Sequence, residues 1–538
     1  MAHTVFEAFR EGAAMWPENV LFCVPVGRDF APEGLELTFA QVARKVDALA
    51  EAYRDAGYGS GHRIALLLDN RPEHFIHFLA LNALGCSQTP LNPDHRPDEM
   101  RYQIEHSKAE LLVCLERHAE KAAEAMAGLE LARPIVTVEH WPERLPVPRT
   151  TKTGIQPSAI SEAGVLYTSG TTARPKGCVL SNEHLLCFGQ WYIDYSKTKE
   201  SIFQIRVGQE RLMNPLPVYH VAAGALSFIS MMLTGNCLVM PGRFSPRLWW
   251  QEVVQTSSTI VHYIGLVPTL LLGQDPIPEE RLHRVRWGLG AGIEPEVHAA
   301  FEKRFGFPNV EVWGMTEIAR WTADDQEPRR IGSRACGKPI RDLEVRVVDE
   351  EDNDVPIGQS GELLVKASGP NPRRGFFDRY LHDPTATELA WRGGWFHTGD
   401  HVRQEADGML FFVDRKKNII RRSGENIAAA EIENVLLSDP AVAYAAVIAV
   451  PDRLRQEEVF ACVVPRHGPN GHAALAERLF RLCLDKLAYY KAPAYVAFFE
   501  SLPMTATQKV QKQRIFLDKD PLETSGLYNF IALKKPNR

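Results

Sequence analysis

The stretch that decides the fold is Tyr167-Thr-Ser-Gly-Thr-Thr-Ala-Arg-Pro-Lys-Gly177, which directly follows the apolar run Ala163-Gly-Val-Leu166. Its glycines let the backbone approach an anion closely and direct N–H groups at it, and its hydroxyls add further donors. The cations of Arg174 and Lys176 would offset part of the charge of that anion. This composition predicts a loop that holds phosphate groups after a buried strand.

The loop does not follow the Walker pattern G-x-x-x-x-G-K-[ST]. Counted from Gly170, that pattern needs a glycine where Pro175 stands and a metal-binding hydroxyl where Gly177 stands. A P-loop nucleotide triphosphatase is therefore disfavoured. Taken alone, the stretch could also be a polar surface turn rich in serine and threonine.

Residues 167–177 resemble instead the signature loop of the adenylate-forming enzymes, Y-T-S-G-T-T-G-x-P-K-G, with Ala173 in place of a glycine. That family contains acyl-CoA synthetases, coumarate-CoA ligases, luciferases and peptide-synthetase adenylation domains. The resemblance implies that the loop binds the phosphates of ATP. The residues expected to do so are Thr168, Ser169, Gly170, Thr171, Thr172 and Lys176.

Pro215-Leu-Pro-Val-Tyr-His220 resembles the family's segment beside the acyl pocket, which implies that His220 contacts the acyl group. Gly290-Ala-Gly-Ile293 and Val312-Trp-Gly-Met-Thr-Glu317 resemble its segments around adenine. An indole face offers a base about 1–3 kcal/mol of stacking, and Mg²⁺ on a triphosphate takes one or two protein carboxylates. The resemblance implies the following roles: Trp313 against adenine; Thr316 facing phosphate; Glu317 on Mg²⁺; Gly290, Ala291, Gly292, Gly314 and Met315 around the nucleotide, with Gly290 and Gly314 also bordering the acyl group.

Gly394-Trp-Phe-His-Thr-Gly-Asp400 resembles the family's G-W-x-x-T-G-D segment, which implies that Asp400 binds the ribose hydroxyls. Arg415 resembles an arginine that also contacts the nucleotide, and Lys417 resembles the family's hinge position. The segment that begins with Ser423, Gly424 and Glu425 resembles the one that turns toward the active site for the thioester step.

Pro503-Met-Thr-Ala-Thr-Gln-Lys-Val-Gln-Lys512 resembles the family's P-x-T-x-[ST]-G-K-[IV]-x-[RK] segment. The resemblance makes Lys509 the catalytic lysine that bridges the carboxylate and the α-phosphate. Gln508 replaces the usual glycine and would be strained if that position needs a positive φ, so Lys512 is the alternative lysine.

The chain has 538 residues, which is too long for a single core. Apolar runs of strand length alternate with helical patterns, as in strand Arg63–Leu68, helix His74–Leu84 and strand Cys86–Pro90, and this predicts parallel sheets. We expect an α/β fold in which residues 1–413 form a large AMP- and acyl-binding body with layered sheets and a β-rich end. Residues 414–417 would be a hinge, and 418–538 a small mobile α+β lid domain. The pattern from Val5 to Gly57 is interpreted as helical, with Thr38 as the N-cap of an amphipathic helix, and Pro97–Ser107 is interpreted as a further helix.

Composition excludes several partners. The 61 basic and 67 acidic side chains give a net charge of −6, so no global field attracts nucleic acid. The longest apolar run, Ala222 to Met240, is interrupted by polar residues and predicts a buried helix and strand rather than a membrane span. Nine scattered cysteines without a C-x-x-C pair and an N-terminus without a secretion signal favour a cytoplasmic protein, which could be a homodimer.

Together the motifs imply a ligase with two half-reactions. A carboxylic acid attacks the α-phosphorus of ATP bound with Mg²⁺, pyrophosphate leaves, and the thiol of coenzyme A then attacks the acyl-adenylate to release AMP. Positioning and charge neutralisation would supply most of the catalysis. Rotation of the lid about Lys417 would replace Lys509 by the face that bears Gly424 between the two steps.

Gly314 stands where acetyl-specific members of the family carry a bulky tryptophan that closes the acyl pocket. A glycine is expected to leave room there, which disfavours acetate and favours a medium, branched, aromatic or betaine-like acid. The pattern is nearest to fatty or aryl acid and crotonobetaine/carnitine-CoA ligases. The main alternative is a stand-alone adenylation enzyme that loads a carrier protein or another acceptor, although no aspartate for an amino-acid substrate stands near Tyr219 and His220. A luciferase-type oxidase is a further alternative, and Gln508 suggests a degenerate ATP-binding protein with a regulatory role.

Overall fold

A computed structural model describes most of the chain, and it divides into two compact units. The first unit comprises Met1–Val345, Val365–His397 and Ala406–Phe411, and the second comprises Arg346–Leu364, Thr398–Glu405 and Phe412–Arg538. The residues described are 4–95, 97–127, 129, 133–168, 175–340, 342–415, 418–422, 425–452, 455–466, 472–487, 489–504, 510–517 and 519–534.

The α-helices of the described residues are α1 Val5–Met15, α2 Phe39–Asp55, α3 Pro72–Ala83, α4 Pro97–Ser107, α5 Ala119–Ala127, α6 Asn182–Ser196, α7 Phe228–Leu233, α8 Trp249–Gln255, α9 Leu266–Leu272, α10 Pro295–Phe305, α11 Pro384–Ala390, α12 Ala429–Leu437 and α13 His472–Lys486. A π-helix, Ala222–Ser227, runs directly into α7. Short 3₁₀ helices are Glu116–His118, Pro278–Arg281, Arg392–Gly394, Tyr489–Lys491, Lys512–Arg514, Pro521–Glu523 and Ile531–Leu533.

The strands are β1 Val20–Val24, β2 Leu35–Thr38, β3 Arg63–Leu67, β4 Ser87–Pro90, β5 Leu111–Cys114, β6 Ile135–Thr137, β7 Glu162–Thr168, β8 Lys176–Ser181, β9 Arg211–Met213, β10 Cys237–Val239, β11 Ile260–Ile264, β12 Trp287–Ala291, β13 Asn309–Met315, β14 Ile318–Ala323, β15 Ala335–Gly337, β16 Leu343–Val348, β17 Ser360–Ala367, β18 Arg379–Tyr380, β19 Phe396–Gln404, β20 Leu410–Arg415, β21 Ile419–Arg422, β22 Glu425–Ala428, β23 Val442–Asp452, β24 Gln456–Pro465, β25 Tyr495–Phe498 and β26 Tyr528–Asn529.

Two large sheets form the first unit. One has eight strands in the order β14-β13-β12-β11-β9-β10-β1-β2, in which β1 and β9 to β13 run parallel and β2 and β14 are antiparallel edges. The other has seven strands in the order β18-β8-β7-β4-β3-β5-β6. The predicted parallel sheets are therefore confirmed, because β3 pairs in parallel with both β4 and β5.

A five-stranded sheet has the order β15-β20-β19-β17-β16. The second unit contains a further sheet, β22-β21-β24-β25-β26 with β23 paired to β24. Helices α12 and α13 cover that sheet through a core of small and branched apolar side chains that includes Ile432, Leu436, Val447 and Leu479. The hinge predicted at 414–417 includes Lys417, which lies outside the described residues, and it stays a prediction.

The helical interpretation of Val5–Gly57 is correct at its ends and wrong in its middle. Thr38 caps α2 as the sequence suggests, since its hydroxyl accepts from the Gln41 N–H while the Gln41 side chain accepts from the Thr38 N–H. Between α1 and α2, however, β1 and β2 pair with each other, and β1 also pairs with β10. This long-range pairing overrides the local pattern.

The apolar run Ala222 to Met240 becomes the π-helix, α7 and β10, and most of its side chains are buried in the protein. The prediction of a buried helix and strand is thus confirmed. Among the described residues, none of the helices combines the length and the apolar character that crossing a bilayer requires.

Candidate active site

The predicted phosphate loop lies at the tip of the hairpin formed by β7 and β8. Thr168 and Lys176 face each other across the last rung of this hairpin. The residues between them that were predicted to bind phosphate, Ser169, Gly170, Thr171 and Thr172, lie outside the described residues. Thr168 and Lys176 are both half-exposed. An anion held by the loop would therefore have the Thr168 hydroxyl and the Lys176 ammonium beside it.

Helix α4 supports the two stems of this hairpin. The Tyr102 hydroxyl donates to the Pro175 carbonyl at 3.0 Å, and His106 Nδ1 lies 2.9 Å from the Tyr167 hydroxyl. Tyr167 also donates to the Gln103 carbonyl. A single helix thus fixes the backbone immediately before and after the loop, which reduces the conformational entropy that anion binding would cost.

The two predicted adenine segments meet at one edge of the eight-stranded sheet. Gly290 lies one residue before the end of β12 and is in register with Glu311 on the neighbouring parallel strand β13. Carboxyl ends of parallel strands lie at the same sheet edge, where α/β enzymes bind ligands. The structure therefore brings together the predicted residues Gly290, Ala291, Gly292, Trp313, Gly314, Met315, Thr316 and Glu317.

A tight turn carries Thr316 and Glu317 between β13 and β14. Met315 pairs with Ile318 across this turn. The buried His184 ring donates from Nε2 to the Thr316 carbonyl at 3.0 Å, and burial lowers the pKa of His184 to about 4, so the ring is neutral at physiological pH. The Phe377 N–H donates to the Glu317 carbonyl at 2.9 Å. The turn backbone is thus held from two sides.

The Glu317 carboxylate is buried and hydrogen-bonded. Its Oε1 accepts from the Tyr380 hydroxyl at 3.0 Å and from the Cys178 thiol at 3.5 Å. The Lys176 ammonium lies 4.8 Å from the centre of the Tyr380 ring. Tyr380 therefore contacts both predicted site residues: its hydroxyl donates to Glu317, and its aromatic face lies against the Lys176 ammonium.

A magnesium ion fits this cluster in chemical terms, because a carboxylate oxygen is the hard donor that Mg²⁺ prefers. Among the described residues, groups of three or more side chains able to hold a metal ion do not occur. Glu317 would be the protein ligand of such an ion, and the other ligands would be ATP phosphates and water.

Sequence reasoning missed Tyr380. It reaches the site because β18 pairs with β8, which places Tyr380 opposite Cys178. Burial and the charge of Glu317 raise the pKa of the Tyr380 phenol, so it remains a donor at all physiological pH values. A strand of two residues carries no recognisable pattern, and the pairing joins distant parts of the chain, so no local signal could have found it.

On the predicted acyl side, His220 precedes the π-helix, and its Nδ1 accepts from the Ala222 N–H at 3.3 Å. Asn70 holds the segment before His220, since it accepts from the Val218 N–H at 2.9 Å and donates to the Leu216 carbonyl at 3.0 Å. π-Helical turns are frequent at functional sites because they project side chains that an α-helix would turn away.

The expectation that Gly314 leaves open room is wrong. A Cβ atom at Gly314 would lie 2.1 Å from Cγ and Cδ1 of Trp321, so the indole already covers this glycine. Trp321 lies on the adjacent strand β14, is 6% exposed, and donates from Nε1 to the Ile318 carbonyl at 2.9 Å. Its other neighbours include Phe188, whose ring meets it edge to face at 5.9 Å. The space that the missing side chain of Gly314 would leave is therefore occupied by the Trp321 ring.

In the second unit, the backbone around Asp400 is held by two side chains. The Asp400 N–H donates to the Thr398 hydroxyl at 3.1 Å, and the Gly399 N–H donates to Glu362 Oε1 at 3.2 Å. Asp400 is largely buried. Arg415 ends β20 and Glu425 begins β22, but the structure does not describe their side chains.

The remaining predicted residues of the second unit are Lys417, Ser423, Gly424 and Lys509, and all of them lie outside the described residues. The alternative lysine, Lys512, forms an ion pair of 2.7 Å with Glu433. Glu433 also accepts from the Val447 N–H at 2.6 Å. Lys512 therefore has a structural partner within its own unit.

Comparison with known proteins identifies the family of this chain. The sequence profile of the family described as AMP-binding enzyme matches residues 9–377, and that of the AMP-binding enzyme C-terminal domain matches 431–509. The chain is 31% identical over 515 residues to the sulfoacetate–CoA ligase of Cupriavidus necator, covering 94% of this chain and 95% of that protein. It is 27% identical over 495 residues to the crotonobetaine/carnitine–CoA ligase of Proteus mirabilis, covering 89% of this chain and 93% of that protein.

The fold also matches solved structures. Against the anthranilate CoA ligase AuaEII in complex with anthranoyl-AMP, the TM-score is 0.80 at 21% identity, with 95% of this chain and 96% of that chain covered. The profile matches cover more than half of the chain, and relatives at this identity span nearly all of it. The chain therefore belongs to the family of AMP-binding enzymes, in which it is one of the AMP-forming acyl-CoA ligases.

Proposed function

We propose that this ligase activates a compact carboxylic acid larger than acetate as its acyl-adenylate and then transfers the acyl group to coenzyme A. The observation that carries the proposal is the meeting of Gly290–Gly292 and Trp313–Glu317 at adjacent carboxyl ends of parallel strands. Such an edge suits a ligand that must present a base, a triphosphate and a reacting carboxylate to one site.

In the first half-reaction, the residues of the first unit would hold the nucleotide. Lys176 and the hydroxyl of Thr168 would contact its phosphates, and Trp313 and the glycine segment would border adenine. Mg²⁺, when bound, would neutralise charge on the phosphates, and Glu317 would be its protein ligand. Tyr380 would orient the Glu317 carboxylate by donating a hydrogen bond to it.

The carboxylate of the acid would attack the α-phosphorus, and pyrophosphate would leave with the electron pair of the broken P–O bond. Lys509 would stabilise the charge that develops on the carboxylate and α-phosphate oxygens. Asp400 and Arg415 would hold the ribose side of the nucleotide. The ion pair between Lys512 and Glu433 supports Lys509 as the catalytic lysine, since the Lys512 ammonium is already paired within its own unit.

In the second half-reaction, the CoA thiol would lose its proton and attack the acyl carbonyl, and AMP would leave. Lys417 would be the hinge, and Ser423, Gly424 and Glu425 would face the site for this step. Coenzyme A as acceptor is supported by the relatives, which are named as CoA ligases.

The size of the acid follows from the acyl side. Gly314 itself adds no bulk, but the Trp321 indole lies directly over it and would limit the length of the acyl site. His220 would contact the acyl group from the π-helical side. The similar enzymes named for sulfoacetate and for crotonobetaine and carnitine act on compact acids, which supports a compact substrate here.

Pyrophosphate release, measured with ATP, Mg²⁺ and a panel of carboxylic acids, tests the proposal. A subset of acids should release pyrophosphate, AMP should be the nucleotide product, and CoA should yield a thioester. ADP as the product would refute it. Acid-dependent pyrophosphate release with transfer only to a carrier protein would favour a stand-alone adenylation enzyme instead.

We also propose a cytoplasmic location and allow a homodimer. None of the nine cysteines, all of which lie within the described residues, forms a disulfide, and eight are buried, which suits a reducing compartment. Fractionation of the producing cells and light scattering of the purified protein would test these two proposals separately.

A further inference from the structure

Residues on three neighbouring parallel strands meet at the carboxyl edge of the eight-stranded sheet. Tyr263 on β11, Gly290 on β12 and Glu311 on β13 stand side by side in register. A Cβ atom at Gly290 would lie 2.6 and 2.7 Å from the Tyr263 ring and 2.4 Å from its carbonyl oxygen. The ring therefore passes over the glycine, and its hydroxyl donates to Glu311 Oε1 at 3.0 Å.

The Glu311 carboxylate also holds the backbone that follows β12. Its Oε2 accepts from the Gly292 N–H at 2.9 Å, and its Oε1 accepts from the Ile293 N–H at 3.1 Å. Gly292 has φ +78°, a left-handed conformation that favours glycine. Two successive N–H groups directed at one carboxylate fix the shape of this turn, in the manner of an anion held in a backbone nest.

The Glu311 carboxylate is buried away from water, which disfavours its charged form. Glu311 is 7% exposed, and burial raises its pKa to about 7, although the N–H groups of Ile293 and Gly292 and the nearby His298 of α10 oppose this. The titratable groups that face it are Tyr263 from β11 and His298 from α10. A buried carboxyl kept under such a penalty needs its hydrogen bonds, because a lost partner leaves the remaining group unsatisfied.

We infer that Glu311 is a positioning residue, whose carboxyl fixes the Gly290–Ile293 turn in the shape that receives the nucleotide and the acyl group. The role of that turn in binding rests on the proposed function. The hydrogen bonds from the Gly292 and Ile293 N–H groups to Glu311, which we call the clamp, do not depend on it. Neither the motif residues nor the comparisons assign Glu311 any part, and its side chain acts through the turn rather than on the reacting atoms.

The test uses the full-length protein and the isosteric variant Glu311→Gln. The amide can still accept at one position, but its NH₂ group then opposes one of the two backbone N–H donors. AMP affinity, measured by calorimetry at pH 8, should weaken about tenfold or more. The reason is that a buried N–H group facing the NH₂ group of the amide costs about as much free energy as a tenfold change in affinity. KM for ATP should rise more than kcat falls.

Two matched variants separate the clamp from general burial. Tyr263→Phe removes one donor and leaves both N–H bonds, so AMP affinity should change by less than about threefold. Glu302→Gln alters a carboxylate on α10 that accepts from Arg329 and from the Asn309 N–H, and it should leave AMP affinity unchanged.

A pH series adds a readout that a purely structural role would not move. In the wild type and in Glu302→Gln, AMP affinity should weaken as the pH falls below about 7, because a protonated Glu311 loses one acceptor. This limb should be absent in Glu311→Gln. Equal AMP affinity in Glu311→Gln and the wild type across the series would overturn the inference, whereas absent pyrophosphate release with normal AMP binding would overturn the proposed function alone.

Discussion

Replacement of Trp321 should lengthen the acids that the enzyme accepts. The indole covers Gly314 so closely that a Cβ there would lie 2.1 Å from the ring, so a smaller residue opens the space directly beside the proposed acyl group. Each additional buried methylene contributes about 0.8 kcal/mol, or roughly a fourfold gain in kcat/KM. An acid longer by three methylenes should therefore gain about 60-fold relative to the wild type.

Trp321→Leu is the better variant, because truncation of a buried tryptophan to alanine costs about 3–5 kcal/mol of stability. Pyrophosphate release should be measured over straight-chain acids of increasing length, and the preferred length should shift upward. Phe188→Leu is the control, since it loosens the packing on another side of the indole without uncovering Gly314. An unchanged length profile with a uniform loss of activity would refute the reasoning.

A second test uses the close contact itself. Gly314→Ala should destabilise the protein by about 1–3 kcal/mol, because the new methyl group must displace the ring or the strand. In a Trp321→Leu background the same change should be nearly neutral, and the two effects should be non-additive. Thermal or denaturant unfolding of the four proteins of this cycle measures the coupling, and simple additivity would show that the two residues do not meet.

Tyr380→Phe removes the hydroxyl that donates to Glu317, so the Mg²⁺ concentration for half-maximal pyrophosphate release should rise about tenfold to a hundredfold, and an unchanged Mg²⁺ dependence would count against the link. Lys509→Ala should abolish adenylation but largely spare thioester formation from a supplied acyl-adenylate, whereas Lys512→Ala should retain adenylation because the Lys512 ammonium is already paired. Burial raises the pKa of Glu311 from 4.5 to about 7, so the stability of the wild type falls as the pH rises through that interval. The free energy of unfolding of Glu311→Gln, taken relative to the wild type, should therefore increase by up to about 3 kcal/mol between these two pH values. A difference in Tm that does not depend on pH would contradict this.

Local signals in the sequence predicted local structure well. Helix α4 has the predicted bounds because Pro97 starts it, and Thr38 caps α2 through a capping box that can be recognised from two residues. The pairing of β1 with β10 could not be predicted in this way, since it depends on residues more than two hundred positions away and on which face of each strand is buried.

The candidate site divides along the same line. Motif residues at the ends of β12 and β13 lie together, because adjacent parallel strands bring their carboxyl ends to one edge. The groups that hold them were not predicted. Tyr380 and His184 come from elements with no motif of their own, Glu311 lies just before the motif on β13, and all three act through hydrogen bonds that only the tertiary fold creates.

Two motif glycines illustrate why sequence patterns mislead about space. Gly290 and Gly314 each receive an aromatic ring from the adjacent strand, Tyr263 in one case and Trp321 in the other. In a β-sheet, a glycine is the residue over which a cross-strand aromatic can fold, so its absent side chain is replaced by a larger one. The volume left for a substrate at such a position is then set by the aromatic neighbour and its rotamer. Changes in substrate size should therefore follow substitutions at Trp321, while substitutions at Gly314 should first disturb the packing of the sheet.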